Sequence, residues 1–278
     1  MKYSLLNLIF ALGLSIFLFS CEKDNSDNSI NPLDGFTKFK EGYAIGAKAK
    51  IEIWGKKKFF VGYNNLFVVV YDSLNLNQKI TDAHIDFMPV MSMGTGSMAM
   101  QHAAPVENPS TSAVNGVFAG AIAFLMPTTT SGTWKLSVGV HNHKYDKEGE
   151  ADFDITVDNP SPSVLSVFTS TESSNPKLVL SILQPNAPKV GMNDIEFTIH
   201  QKLSMMEWPA NDSYTIEITP EMPSMQHGSP NNVNPVNVGN GHYKGKVNFT
   251  MTGEWKINVI VKKDGIAVSQ NLYFMITL

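Results

Sequence analysis

Two short stretches of the chain bring thioether and imidazole side chains close together. The first runs Met88-Pro89-Val90-Met91-Ser92-Met93-Gly94-Thr95-Gly96-Ser97-Met98-Ala99-Met100-Gln101-His102, and the second Pro220-Glu221-Met222-Pro223-Ser224-Met225-Gln226-His227-Gly228. They hold seven of the chain's fourteen methionines: Met88, Met91, Met93, Met98, Met100, Met222 and Met225. Methionine is normally an adaptable core filler. These stretches carry Pro and Gly among Ser, Thr and Gln, so they read as loops between strands, poor material for a core. The same Pro and Gly rule out a helical stripe of methionines. Thioether sulfur is uncharged and soft; it binds hard cations poorly and suits Cu(I), with imidazole as a compatible neighbour. In an extended chain Met100 and His102, and likewise Met225 and His227, share a face. Met91 or Met222 is expected to fold over from the far side of the turn. The candidate ligands are therefore Met91, Met93, Met98, Met100 and His102 in the first stretch and Met222, Met225 and His227 in the second, with copper, as Cu(I), the expected cofactor. The competing reading makes these methionines an adaptable apolar contact surface, between domains or against a partner.

The other histidines carry weaker expectations. His141 and His143 follow a strand and read as surface residues, although such a pair can bind metal adventitiously. His242, beside Tyr243, is a candidate for supporting a ligand from behind. His84 and His200 read as ordinary strand residues, and the Met205-Met206 pair near Trp208 as packing. Catalysis finds no support: there is no Gly-x-Ser-x-Gly elbow, no His-Glu-x-x-His and no phosphate-cradling glycine loop. Acidic residues are scattered without an evident pair. The net charge is -4, with 21 Lys+Arg against 25 Asp+Glu, which gives no nucleic-acid signature. A single cysteine leaves no internal disulfide and no thiolate metal site.

The elements that must position these residues repeat along the chain. Val61-Gly62-Tyr63-Asn64 recurs as Val190-Gly191-Met192-Asn193, Met100-Gln101-His102 as Met225-Gln226-His227, Phe124-Leu125-Met126 as Phe249-Thr250-Met251, and Gly132-Thr133-Trp134-Lys135 as Gly253-Glu254-Trp255-Lys256. The order is the same in both halves, as two copies of one module would give. Alternation marks strands: Phe118, Ile122, Phe124 and Met126 share one face, as do Tyr243, Val247, Phe249 and Met251, with Lys244, Lys246, Asn248 and Thr250 facing water. Strands also begin at Trp134 and Trp255, which are expected to fill the centre of each core. Short strands at regular spacing, with no amphipathic helix, predict an all-β fold of two tandem immunoglobulin-like sandwiches. Their expected spans are 35–160 and 161–278, with the boundary in the Pro/Ser run at Asn159–Ser163.

The N-terminus reads as an export signal. Lys2 is followed by an apolar run from Leu5 to Phe19, too short for a comfortable membrane span. Leu18-Phe19-Ser20-Cys21 resembles the lipobox of bacterial lipoproteins, which implies cleavage after residue 20 and acylation of Cys21. Several acyl chains make a stable membrane anchor. Residues 21–34, polar and rich in Ser and Asn, read as a flexible tether. Their acidic start resembles the surface-export signal of Bacteroidetes lipoproteins and implies an outer-membrane location, at the cell surface.

The order Pro-x-Met, Met-x-His, a Tyr-containing strand ending Phe-x-Met, then Gly-x-Trp resembles the YtkA-like domain. The resemblance is clearer in the second copy, through Pro220–His227, Gly241-His242-Tyr243 and Gly253–Trp255. In the first copy the loop is longer and Phe118 stands in place of the tyrosine. The resemblance implies a non-enzymatic role in copper handling or in assembly of envelope metalloproteins, with such a protein or a transporter as partner. The alternatives are a surface adhesion or protein-interaction module, and an accessory lipoprotein of an uptake complex.

Overall fold

The structure, a computed structural model, describes residues 32–278. The signal segment, Cys21 and most of the expected tether lie outside the described residues. Ten strands make the first sandwich: β1 (Thr37–Ala44), β2 (Ala49–Gly55), β3 (Gly62–Asp72), β4 (Asn75–Ile80), β5 (Ala83–Met93), β6 (Met100–Ala103), β7 (Val106–Glu107), β8 (Phe118–Phe124), β9 (Gly132–Asn142) and β10 (Lys147–Ile155). The second contains β11 (Leu165–Thr169), β12 (Lys177–Gln184), β13 (Gly191–Gln201), β14 (Thr215–Met222), β15 (His227–Gly228), β16 (Val233–Gly239), β17 (His242–Phe249), β18 (Glu254–Lys263), β19 (Ile266–Ala267) and β20 (Leu272–Thr277). The fold is all-β and immunoglobulin-like, and among the described residues no helix is long and apolar enough to cross a membrane.

Each sandwich pairs two antiparallel sheets in one strand order. The first has β1-β2-β3-β8-β7, with β4 added on β3, facing β10-β9-β5-β6. The second has β11-β12-β13-β17-β16 facing β15-β14-β18, with β19 and β20 on the far side of β18. Side-chain alternation sets the register. On β9, Trp134, Leu136, Val138 and Val140 are buried while Lys135 and Ser137 point outward; on β18, Trp255, Ile257, Val259 and Val261 do the same. A one-residue slip would turn each set to water, at roughly 1.5–3 kcal/mol per large side chain. Asn-Gly turns lead into both central strands. Asn115-Gly116 precedes β8 and Asn240-Gly241 precedes β17, with all four residues at positive φ as a tight type I′ hairpin requires.

Trp134 and Trp255 sit in their cores at 1% and 0% exposure. Each indole N–H donates to a backbone carbonyl, Trp134 to Met126 at 2.9 Å and Trp255 to Met251 at 3.1 Å. The side chains of Met126 and Met251 depart from their expected core placement: both are exposed. The strands end at Phe124 and Phe249, so the inward alternation stops two residues before each methionine.

The sandwiches belong to one compact unit and meet directly. Leu165, Val179 and Trp208 of the second join the apolar cluster of the first. The Ala103 amide donates to the Met205 carbonyl at 2.9 Å. Met205 and Met206 are therefore not simply core packing; both are partly exposed beside this seam.

Candidate metal centre

The two Met/His stretches are hairpins built largely of strand, which overturns their reading as loops. β5 continues through Pro89 to Met93, and β14 through Pro220 to Met222. Proline lacks an N–H, and both prolines sit where one strand edge is still open. Pairing to β6 begins only at Val90, and pairing to β15 only at Glu221. The hairpin register then sets Met91 opposite His102 and Met222 opposite His227. Directly paired residues on one face have Cβ atoms about 4.5–5.5 Å apart.

Both pairs lie on the inward face, against the tryptophan. Met91 is also opposite Trp134 across β5 and β9. The His102 ring meets Trp134 edge-on at 5.3 Å between centroids, and the His227 ring meets Trp255 at 5.6 Å, with interplanar angles of 89° and 87°. A glycine makes room for each methionine. A Cβ on Gly132 would fall 2.4 Å from Met91 Cε, and one on Gly253 3.0 Å from Met222 Cε. The Gly-x-Trp signature that recurs in the sequence thus supplies the space and the wall of each site. Asn64 and Asn193 fix the turns ahead of β3 and β13 in the same way in both sandwiches. Each side chain bonds both the amide and the carbonyl of the residue four positions earlier.

The candidate donors divide by exposure. Met91, Met222 and His102 are buried, and Met93 is partly buried against the first core. Met98, Met100 and Met225 are exposed at the hairpin tips, and His227 is half-buried. In the first hairpin Met93 is opposite Met100, so that pair rises from the buried pair toward solvent. In the second, Met225 lies in the turn, its amide donating to the Met222 carbonyl at 3.1 Å. Burial of Met91, Met222 and His102 corrects the view of these stretches as poor core.

His102 has an assignable tautomer. Its Nδ1 lies 3.0 Å from the Ala103 carbonyl oxygen, which can only accept, so Nδ1 donates there and Nε2 is the nitrogen left for another partner. Nε2 is buried with no hydrogen-bonding partner among the described residues. A ring anchored through one nitrogen to a backbone carbonyl, with the other nitrogen free, is how metal-binding histidines are usually held. An unpartnered buried polar atom otherwise costs about 1–3 kcal/mol. His227 Nε2 has only a long contact, 3.4 Å, to Thr250 Oγ1. Thioether and imidazole donors together fit a soft monovalent ion. Among the described residues no three His, Cys, Asp or Glu side chains are placed to hold a metal, so any site depends on the thioethers.

The remaining histidines lie elsewhere. His84 and His141 face each other across β5 and β9 on the outer face. His141 pairs with Asp146 at 3.1 Å and His143 with Asp82 at 2.7 Å. His242 does not support a ligand. It stands at the start of β17, away from the His227–Thr250 end, with Nδ1 2.7 Å from Glu196 and Nε2 2.9 Å from Glu107 of the other sandwich. These two carboxylates hold its pKa up at about 9. Burial works to raise both glutamates, but His242, joined by Tyr63 at Glu107 and by Lys244 at Glu196, outweighs it and holds them below their ordinary value. Tyr63 packs edge-on against His242 at 5.8 Å. Burial, then the Glu107 charge, drives the Tyr63 phenol well above its ordinary pKa. His200 is buried with both ring nitrogens unpartnered among the described residues, and desolvation lowers its pKa to about 4. No motif or spacing along the chain points to this junction cluster. A groove of about 790 Å³ floored by Phe36, Phe39, Phe60 and Phe67 shares no residue with either Met–His pair.

Comparison with solved structures finds similarity to invasin, a bacterial integrin-binding protein, at 10% identity over 83% of this chain and 39% of that one, with a TM-score of 0.27. InvD of Yersinia pseudotuberculosis gives 18% identity over 80% and 54%, with a TM-score of 0.26. The chain thus spans 39% and 54% of the length of these structures. No match is found among curated proteins. Residues 176–260, the span from β12 into β18 that carries Met222, Met225, His227 and Trp255, match the YtkA-like family model.

Proposed function

We propose that the chain is an envelope lipoprotein, anchored at the outer membrane through Cys21, that binds Cu(I) in the Met/His pockets of its two sandwiches for copper delivery, storage or tolerance. Met222, Met225 and His227 would hold the ion in the second sandwich. Met91 and His102, with Met93, Met98 and Met100 toward the tip, would hold it in the first. Bound copper would be cargo here, and the protein's part is to gather soft donors around it. The indoles of Trp134 and Trp255 wall the imidazoles on the core side.

The observation that carries this reading is the His102 ring, anchored at Nδ1 and free at a buried Nε2, with Met91 directly opposite across the ladder. The YtkA-like match of residues 176–260 supports it for the second sandwich. The shared strand order and the repeated Met–His–Trp–Gly arrangement support treating the first sandwich as another copy of that module. An all-β immunoglobulin-like sandwich also fits a non-enzymatic carrier. Its partner would be an envelope metalloprotein or transporter that accepts copper.

The test is an anaerobic Cu(I) titration of the protein against a competing colorimetric chelator, with tryptophan fluorescence as a second signal. About one ion per sandwich is expected, and a Met222→Leu/Met225→Leu/His227→Ala variant should lose one of the two. Failure of the wild-type protein to withdraw any Cu(I) from the chelator would overturn the proposal.

A further inference from the structure

His102 and His227 hold equivalent ladder positions, yet their access to solvent differs: His102 is 5% exposed and His227 is half-buried at a free hairpin tip. The second sandwich abuts the strand that carries His102. β6 pairs with β5 along one edge, and at its other edge the Ala103 amide, next to His102, donates to the Met205 carbonyl at 2.9 Å. The indole N–H of Trp208 reaches the same carbonyl at 3.4 Å, and Trp208 packs into the first sandwich's apolar cluster. Five residues beyond His102, Glu107 is bound by His242 of the second sandwich at 2.9 Å, with Tyr63 of the first sandwich edge-on to the same ring.

We infer that the two pockets are an open and a closed copy of one copper site, and that the second sandwich is the lid of the first. This rests on the copper reading above. The ion at Met222, Met225 and His227 exchanges directly with solvent. The ion at Met91 and His102 lies beneath the Met93–Met100 pair and beside the junction, and parting of the Ala103–Met205 seam and the Glu107–His242 bond frees it, so its rate follows the population of the opened junction. One chain then combines a rapidly exchanging site with a slowly exchanging one, a division suited to a carrier that also stores.

Protein loaded with two equivalents of Cu(I) is mixed with excess colorimetric chelator and release is followed in time. Two phases are expected. His227→Ala should remove the fast phase. His102→Ala should remove the slow one, with Met91→Leu as the gentler variant should His102→Ala fail to fold. Glu107→Gln and His242→Gln should each speed the slow phase by about ten- to a hundredfold, the effect of losing a charged hydrogen bond, and leave the fast phase unchanged. A single release phase from doubly loaded protein, or a slow phase indifferent to both junction variants, overturns the inference while the copper reading stands. Absence of any Cu(I) uptake overturns both.

Discussion

Met222 stands directly opposite His227 across the β14–β15 ladder, and Met91 stands in the same relation to His102 on β5–β6. In each case the methionine is core on one side and a candidate ligand on the other, so packing and metal binding must be separated by substitution. Met222→Leu keeps volume and apolarity but removes the sulfur. It should change stability by less than about 1.5 kcal/mol, while Cu(I) affinity of the second sandwich falls markedly. Denaturant titration of the apo protein beside the chelator competition checks both halves. Equal loss of stability and affinity would make Met222 a packing residue alone.

The glycines beneath the methionines should be intolerant of a side chain. Gly132→Ala places a Cβ 2.4 Å from Met91 Cε, so Met91 must move or the strand must shift. The expected cost is about 1–3 kcal/mol. Gly253→Ala meets Met222 Cε at 3.0 Å and also loses a backbone at φ +133° that suits glycine. Both are read by equilibrium unfolding, and unchanged midpoints would show that the pockets are looser than the packing indicates.

Trp255 is fully buried, packs against Phe249 at 5.5 Å, and satisfies its N–H on the Met251 carbonyl. Trp255→Ala should cost about 3–5 kcal/mol and abolish the fluorescence response of the second sandwich to Cu(I). Trp134→Ala should do the same for the first. A mild loss in either would mean that the core closes over the gap.

The junction should respond to pH on both sides. His242 titrates at about 9 in the folded chain, above its unfolded value of about 6.5, so its contribution is complete below that value and is lost as pH rises through about 9. Glu107 and Glu196 titrate below their unfolded value of about 4.3, so their contribution is lost as pH falls through the acidic range. His200 adds to the acid limb. Its pKa of about 4 lies below the unfolded one, so buried neutral His200 becomes a liability as pH drops from about 6.5 toward 4. Thermal unfolding across pH should lose the alkaline decline in His242→Gln. An alkaline limb identical to wild type would remove His242 as its source.

The local pattern carried much of the fold. Trp134, Leu136, Val138 and Val140 alternate with polar neighbours, and this period of two is a property of the strand itself, readable one segment at a time. The recurrence of Gly-x-Trp and Met-x-His in one order likewise lies in the sequence, and the candidate ligands come from it. Where a strand stops is less local: Met126 and Met251 continue the apolar alternation on paper but fall beyond the last ladder bonds, and so turn outward.

Tertiary structure decided which of the candidate donors meet. Met91 finds His102 only through hairpin register, and both are buried beside Trp134 of the neighbouring strand β9. The Glu107–His242 bond joins residues 135 positions apart, and no spacing rule connects them. Sequence set the chemical types, soft sulfur and imidazole in paired strands, because those choices are written residue by residue. Contacts such as Ala103–Met205 and Glu107–His242 join distant segments, and these exist only once both sandwiches have folded against each other.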